Sequence, residues 1–308
     1  MIWTYVALLA GVVAAAVGGE LFVRGTVGLA RAARLSPGII AASVAAFATS
    51  SPELTVAVTA AASGEPEISL GDALGSNVCH GCVVLGAALL IARLLAPRGS
   101  VRRDFAGDLI VPFALAARIA DGELSRIDGL LLLGCFVVWL GAVLIEVRNQ
   151  RSAAGEVLGD ANPKRAAVEG GIGLVLLIVA GKLIVVGATG IAKAFGLSEF
   201  VIGATVVAIG TSIPELATAL IARIRGHDEV GLGTILGSNI YNGLFIVGIA
   251  AVISPIHVPI ASAAPALLLG VASVALCFPT RNGRIDRWRG GILLAVYMVY
   301  LAAVLQTA

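Results

Sequence analysis

Long apolar runs, separated by short polar stretches, extend along the whole chain. A helix needs about 20 apolar residues to cross a bilayer, or roughly 17–25 when it is tilted. Ten runs have this length, and we predict a membrane-spanning helix in each: 3–26, 37–62, 68–94, 104–120, 125–147, 166–192, 199–223, 229–253, 257–279 and 288–306. The pattern therefore predicts an all-α polytopic membrane protein with ten transmembrane helices.

Positive charges alternate between the predicted loops. Most of the 21 Lys and Arg residues fall in the first, third, fifth, seventh and ninth loops. The even loops and the termini hold only Arg118, Arg126 and Lys193. Lys and Arg are enriched in cytoplasmic loops. The odd loops are therefore predicted in the cytoplasm, with both termini outside.

The longest polar loop, 148–165, divides the chain into two halves of five spans. It is too short to fold alone and is interpreted as a cytoplasmic linker. We thus expect a first five-helix unit at 1–147 and a second at 166–308. The first apolar run has no preceding Lys or Arg and is taken as a span, not as a cleaved signal.

The two halves resemble each other at an offset of 162 residues. IAASVAAFATSSPELTVA (40–57) aligns without gaps to IGATVVAIGTSIPELATA (202–219), and LGDALGSNVCHGCVVLG (70–86) to LGTILGSNIYNGLFIVG (232–248). Because each half has an odd number of spans, the second copy must lie inverted in the membrane. Inverted repeats are typical of secondary transporters, whose substrates bind near the membrane midplane.

Polar residues recur in the middle of the repeated spans. Glu53 and Glu215 each follow a proline, which interrupts helical hydrogen bonding and exposes backbone oxygens. A carboxylate at membrane depth is costly unless it is paired or solvated. Hydroxyl residues precede both glutamates within one turn: Thr49, Ser50, Thr211 and Ser212. Mixed oxygen ligands with two negative charges suit a hard cation such as Ca²⁺ or Na⁺.

The second repeated motif places Ser76 and His80 on one helix face, and Ser238 and Asn242 on another. Its asparagines, at positions 77 and 239, are expected to bond between helices. GSNVCHGC also contains a Cys-x-x-Cys spacing, but its cysteines align with Tyr and Leu in the other repeat. They are therefore interpreted as packing residues and not as a redox or zinc site.

Composition excludes several classes of protein. With 58% hydrophobic and 13% charged residues, the chain is far from the roughly 25% charge of a soluble domain. The net charge of +2 gives no reason to expect nucleic acid as a partner. No nucleophile with its base and no Asp-rich cluster indicates an enzyme, and a passive scaffold would not need charges at mid-depth.

The two copies of a G-T-S-x-P-E-L type motif, each followed by G-S-N, resemble the cation/Ca²⁺ exchanger superfamily and especially the prokaryotic sodium/calcium exchangers. The resemblance implies an antiporter of the cell membrane, in prokaryotes the inner membrane, without a cofactor and functional as a monomer. Ions would bind between helices 2, 3, 7 and 8, while helices 1 and 6 slide against this core. The implied ligands are Glu53, Glu215, Thr49, Ser50, Thr211, Ser212, Ser76, Ser238, His80, Asn242 and the backbone carbonyls of Ala46 and Ala208.

The counter-ion stays open at this point. His80 and Asn242 occupy positions where the family usually has Asn or Asp, so the implied site has two carboxylates and no third. Two carboxylates balance one Ca²⁺, whereas three Na⁺ would leave an uncompensated charge. The alternatives to Na⁺/Ca²⁺ exchange are Ca²⁺/H⁺ exchange, with His80 or the glutamates carrying protons, and transport of a softer ion such as Mn²⁺.

Overall fold

The computed structural model describes residues 2–33, 35–96, 98–153, 162–194, 201 and 203–306. A helix or a pair of half-helices lies over each of the ten predicted segments. In the first half these are α1 (Ile2–Ala33), α2 (Pro37–Ile40), α3 (Ala46–Thr49), α4 (Ser51–Ala62), α5 (Pro66–Cys79), α6 (Leu85–Ile91), α7 (Arg98–Ile119) and α8 (Arg126–Ala153). Single π-helical turns, Ala41–Ala45 and His80–Val84, join α2 to α3 and α5 to α6.

The second half repeats this order. Its helices are α9 (Pro163–Ala194), α10 (Ala208–Thr211), α11 (Ile213–Ile224), α12 (Asp228–Ile240), α13 (Val247–Ile253), α14 (Ile260–Cys277) and α15 (Trp288–Leu305), with π turns at Gly203–Val207 and Tyr241–Ile246. Helices α5 and α12, α7 and α14, and α8 and α15 begin 162 positions apart, at 66 and 228, 98 and 260, and 126 and 288. The structure thus repeats with the offset of the sequence.

The helices on either side overlap the ends of the predicted linker, 148–165. Helix α8 continues to Ala153 and α9 starts at Pro163, so both helices extend into it. The middle of the linker, 154–161, and positions 199, 200 and 202 at the start of the predicted seventh span lie outside the described residues.

Two short antiparallel strand pairs tie the halves together. Strand β1 (Leu94–Leu95) pairs with β4 (Arg284–Ile285), and β2 (Glu123–Leu124) pairs with β3 (Ile256–His257). The first pair joins the third loop to the ninth, and the second joins the fourth to the eighth. Each pair therefore connects loops that the positive charges place on the same side of the membrane.

Both proline motifs break their helix at a serine. Ser50 has ψ 10° and Ser212 has ψ 2°, so the chain leaves the helical conformation there and restarts in α4 and α11. Pro52 and Pro214 lie in the first turn of the new helix, where a backbone N–H has no helical acceptor to lose. Thr49 and Glu53 consequently sit on two half-helices that meet at Ser50.

Glycines let the helices of opposite repeats pack backbone to backbone. A Cβ on Gly75 would lie 2.4 Å from the carbonyl oxygen of Ala204, and one on Gly237 would lie 2.4 Å from that of Ala42. These two contacts are equivalent under the repeat. They press α5 and α12 against the first half of the opposite broken helix, which brings all four central segments to one point.

Helices α1 and α9 pack along each other outside this core. A Cβ on Gly25 would meet the Gly170 backbone at 2.4 Å, and one on Gly173 would meet that of Phe22 at 2.5 Å. Close helix contact through small residues is typical of membrane proteins.

By length and composition, five helical segments can each cross a membrane: Pro66–Ile91, Arg126–Arg148, Asp228–Ile253, Ile260–Cys277 and Trp288–Leu305. A sixth arises if the bent pair Val17–Ala33 and Pro37–Thr49 forms one span. The full count of ten spans, and the placement of both termini outside, stay predictions.

Candidate functional site

The two half-helix starts place the glutamates in the interior. Glu53 lies in the first turn of α4 and Glu215 in the first turn of α11, and both are fully buried. A helix N-terminus carries a partial positive charge that favours an anion. In the described part of the chain, no Lys or Arg forms an ion pair with either carboxylate. A bound cation is therefore the natural counter-charge.

Glu53, Glu215 and His80 form one cluster, in which one ligand atom from each lies within 4.8 Å of the others. Neither carboxylate oxygen of Glu53 has a hydrogen-bond partner among the described residues, nor has Oε2 of Glu215 or Nε2 of His80. Buried polar atoms are normally hydrogen-bonded, so orphaned ones require an explanation. Here the orphaned atoms are all electron-pair donors around one point, as a cation site requires.

Four of the predicted hydroxyl ligands meet across the repeats in two pairs. Ser50 Oγ donates to Ser238 Oγ at 3.0 Å, and Ser238 Oγ lies 3.2 Å from Glu215 Oε1. On the other side, the hydroxyls of Ser76 and Thr211 are 3.4 Å apart. Each proline motif thus contacts the serine of the G-S-N motif in the opposite repeat.

Two hydroxyls beside the breaks bond to their own helices. Thr49 Oγ1 donates to the carbonyl of Ala45 at 3.1 Å, and Ser212 Oγ donates to that of Ala208 at 2.7 Å. A hydroxyl that donates its proton keeps oxygen lone pairs that can face a cation. Such back-bonding is also the common role of Ser and Thr in a span, so the two residues stay predicted ligands.

The two predicted carbonyl ligands begin the last helical turn before each break, since α3 runs from Ala46 to Thr49 and α10 from Ala208 to Thr211. The Ala46 carbonyl accepts from Ser50 N at 2.9 Å, and the Ala208 carbonyl accepts from Ser212 N at 3.2 Å and from Ser76 Oγ at 3.4 Å. Both alanines are fully buried. Their direct contact with an ion stays a prediction.

The positions one turn after each serine differ in their partners. Asn242 donates through Nδ2 to Asn77 Oδ1 at 3.1 Å, and its own Oδ1 is buried without a partner. Asn77 in turn donates to the backbone oxygen of Asn239 at 3.0 Å, and Asn239 Oδ1 lies 2.9 Å from His80 Nδ1. The expected interhelical role of Asn77 and Asn239 is confirmed.

A third buried carboxylate, Asp72, lies against two of the predicted hydroxyl ligands, Thr211 and Ser76. Its side chain is 1% exposed, and its Oδ1 accepts from Thr211 Oγ1 at 3.0 Å and from Ser76 Oγ at 3.5 Å. Its Oδ2 is buried without a partner. Asp72 aligns with Thr234, so a search for polar residues shared by the repeats misses it. The signal was its spacing, one turn before Ser76 on the same helix face.

The two cysteines of the Cys-x-x-Cys spacing lie at the end of α5 and in the following π turn. Cys79 and Cys82 are both free and buried, at 3% and 0% exposure. Their interpretation as packing residues agrees with this burial.

The fold and the cluster define a class, namely a multi-pass membrane protein with paired broken helices around a buried acidic site. The sequence matches the family described as sodium/calcium exchanger protein over residues 3–145 and 170–306. It is 35% identical over 307 residues to the putative antiporter CaxA of Alkalimonas amylolytica, covering 95% of this chain and 96% of that one. It is 32% identical over 288 residues to the inner membrane protein YrbG of Escherichia coli (strain K12), covering 89% and 88%.

A solved structure of the sodium-calcium exchanger NCX_Mj, soaked with Na⁺ and Sr²⁺, superposes with a TM-score of 0.81 at 30% identity and covers 98% of both chains. The chain belongs to the sodium/calcium exchanger family. The expected resemblance is therefore confirmed, and with it a family of transporters located in the membrane.

Proposed function

We propose that this protein exchanges Ca²⁺ for Na⁺ across the cell membrane by alternating access. The observation that carries the proposal is the buried cluster of Glu53, Glu215 and His80, in which both Glu53 oxygens, Glu215 Oε2 and His80 Nε2 lack a hydrogen-bond partner among the described residues. Its proposed ion ligands are those expected from the sequence, with Asp72 added: Glu53, Glu215, Asp72, Thr49, Ser50, Thr211, Ser212, Ser76, Ser238, His80, Asn242 and the carbonyls of Ala46 and Ala208.

The charge of this site supports a cation substrate. Moving an ionised carboxylate out of water costs several kcal/mol even after relaxation. Three buried carboxylates without a basic partner in the described residues therefore favour cations entering with them. Hard oxygen ligands of mixed type match the coordination of Ca²⁺.

Asp72 also removes an objection to sodium. With two carboxylates, three Na⁺ would leave a net positive charge in a medium of low dielectric constant. With three ionised carboxylates, three Na⁺ are compensated. Asp72 accepts hydrogen bonds from the hydroxyls of Thr211 and Ser76, and both residues are themselves proposed ion ligands.

Alternating access is proposed to occur by sliding of α1 and α9 against the core of broken helices. Their mutual contact is close, with glycines of each helix against the backbone of the other at Gly25 and Gly173. All proposed ligands lie within one chain, which supports a monomer as the working unit.

Proton coupling is the second candidate, and the position of His80 favours it. Its imidazole is the one group among the proposed ligands whose ordinary titration lies near neutral pH, and one of its ring nitrogens is within 4.8 Å of a ligand oxygen of each glutamate. In this version, Ca²⁺ exchanges for H⁺ carried by His80 or by the glutamates. His80→Asn should then change the pH profile of transport.

The test is Ca²⁺ flux into proteoliposomes with Na⁺ and H⁺ gradients imposed separately. We expect uptake driven by the Na⁺ gradient and its loss in Glu53→Gln and in Glu215→Gln. Glu123→Gln, in strand β2 and 47% exposed, is the matched control and should transport normally. Uptake driven by the H⁺ gradient alone would select the second candidate, and normal transport by either buried variant would remove the proposed site.

A further inference from the structure

A line of buried side chains connects α7 to the ion cluster. Asn239 Nδ2 donates to Asp108 Oδ2 at 3.0 Å, and Asn239 Oδ1 lies 2.9 Å from His80 Nδ1. All three side chains are at most 3% exposed. Nothing in Ca²⁺ or Na⁺ binding requires Asp108, which does not touch a proposed ligand directly.

This line determines which nitrogen of His80 carries the proton. Asp108 accepts from the amide nitrogen of Asn239, which leaves the amide oxygen turned toward the imidazole. An amide oxygen only accepts hydrogen bonds, so Nδ1 of His80 must be the donor. In a neutral imidazole, Nε2 then has a free lone pair.

That lone pair is the one left to face the ion cluster. Nε2 is buried and has no hydrogen-bond partner among the described residues. One ring nitrogen of His80 lies within 4.8 Å of a ligand oxygen of each glutamate, and because Nδ1 is bonded to Asn239, Nε2 is the nitrogen available to an ion. Imidazole nitrogen suits transition metals, whereas Ca²⁺ and Mg²⁺ prefer oxygen. An outer residue that orients a histidine ligand is a recurrent feature of metal sites and often a carboxylate.

The second repeat lacks the whole arrangement. At the offset of 162, His80 corresponds to Asn242 and Asp108 to Gly270. The histidine and the carboxylate that orients it thus occur together in one repeat and are both absent from the other. A buried carboxylate is costly, and here it has one evident partner, the amide that faces His80.

We infer that the ion site also takes a divalent transition-metal ion such as Mn²⁺, with His80 Nε2 as a ligand and Asp108 as the residue that positions it through Asn239. This inference rests on the proposed function, because it assumes that the cluster is the ion site. It extends that function to a second class of substrate and assigns a positioning residue outside the ligand set.

The first test is metal binding by the purified full-length protein, with Mn²⁺ followed by electron paramagnetic resonance and Ca²⁺ by isothermal titration. Loss of an orienting partner typically weakens metal binding by about 10–100-fold. We expect the ratio of Mn²⁺ to Ca²⁺ affinity to fall at least about tenfold in His80→Asn and in Asp108→Ala. Asp108→Asn, whose amide oxygen can still accept from Asn239, should keep most of the ratio, and Asp121→Asn on the exposed turn after α7 is the matched control.

The second readout is the tautomer itself. The chain has three histidines, so ¹⁵N-labelled histidine gives three imidazoles, and His80→Asn assigns one of them. We expect His80 protonated at Nδ1 in the wild type and a changed tautomer balance in Asp108→Ala. A merely structural role of Asp108 would lower Mn²⁺ and Ca²⁺ affinity together and leave the tautomer unchanged, which would overturn the inference.

The outcomes separate this inference from the proposed function. If Ca²⁺ binds and is displaced by Na⁺ while His80→Asn leaves the affinity ratio unchanged, only the present inference fails. If neither Ca²⁺ nor Mn²⁺ binds to the wild type, both the proposed ion site and the present inference are refuted.

Discussion

Asp72→Asn tests the three-carboxylate site directly, since it removes one charge and preserves the shape of the side chain. Asp72 Oδ1 lies 3.0 Å from Thr211 Oγ1. An ion held by that hydroxyl at about 2.4 Å is therefore within about 5.4 Å of the carboxylate oxygen. At an effective dielectric constant of about 20, a unit charge at that distance is attracted by roughly 3 kcal/mol, and a divalent ion by about twice as much.

Relaxation and water reduce this value, so we expect Ca²⁺ affinity to fall by about 10–100-fold, equivalent to roughly 1.4–3 kcal/mol. Sodium should also displace Ca²⁺ less effectively, because fewer Na⁺ ions are compensated. The assay is equilibrium ⁴⁵Ca²⁺ binding to purified protein over a range of Na⁺ concentrations, with Glu123→Gln as control and thermal unfolding as a check of the fold. Ca²⁺ affinity within twofold of wild type, with unchanged Na⁺ displacement, would refute the placement of Asp72 in the field of the ions.

Three further predictions test the packing, the motion and the orientation of the chain. Gly75→Ala should destabilise the fold by about 1–3 kcal/mol through overpacking against Ala204 O, seen as a lower melting temperature, whereas Gly134→Ala, which meets no atom within 4 Å, should not. A Cβ on Gly19 lies 3.2 Å from Ile221 Cγ1, so cysteines at both positions should form a disulfide that stops Ca²⁺ flux until it is reduced; full transport by the cross-linked protein would contradict sliding of α1. A cysteine at Asp121 should react with an impermeant maleimide added to intact cells, and labelling only after the cells are opened would reverse the predicted orientation.

The local architecture of the chain could be read from the sequence because it depends on neighbouring residues. Apolar runs of bilayer length predicted ten segments, and each contains a helix or a pair of half-helices. Proline at Pro52 and Pro214 predicted a break one turn before each glutamate, which the structure places at Ser50 and Ser212. These features follow from hydrogen bonding along the chain and from hydrophobicity, and both are local.

The acidic site was only half predictable. The repeat identified Glu53 and Glu215, since the same carboxylate recurs in equivalent polar motifs of both halves. It could not identify Asp72, whose counterpart is Thr234, because a comparison of repeats finds only what the repeats share. The Asp72 carboxylate accepts a hydrogen bond from Thr211, a residue 139 positions away.

The sequence by itself determined the helical class, the internal repeat, the two central glutamates and the family. Only the tertiary structure decided which side chains stand together across helices: Asp72 with Thr211, Ser50 with Ser238, and Asp108 with His80 through Asn239. The physical reason is that the close glycine contacts, such as Gly75 on Ala204 and Gly237 on Ala42, set the rotation and depth of each helix against its partner. Those packing distances fix which polar atoms face one another. The distances cannot be read from the order of residues along a single helix.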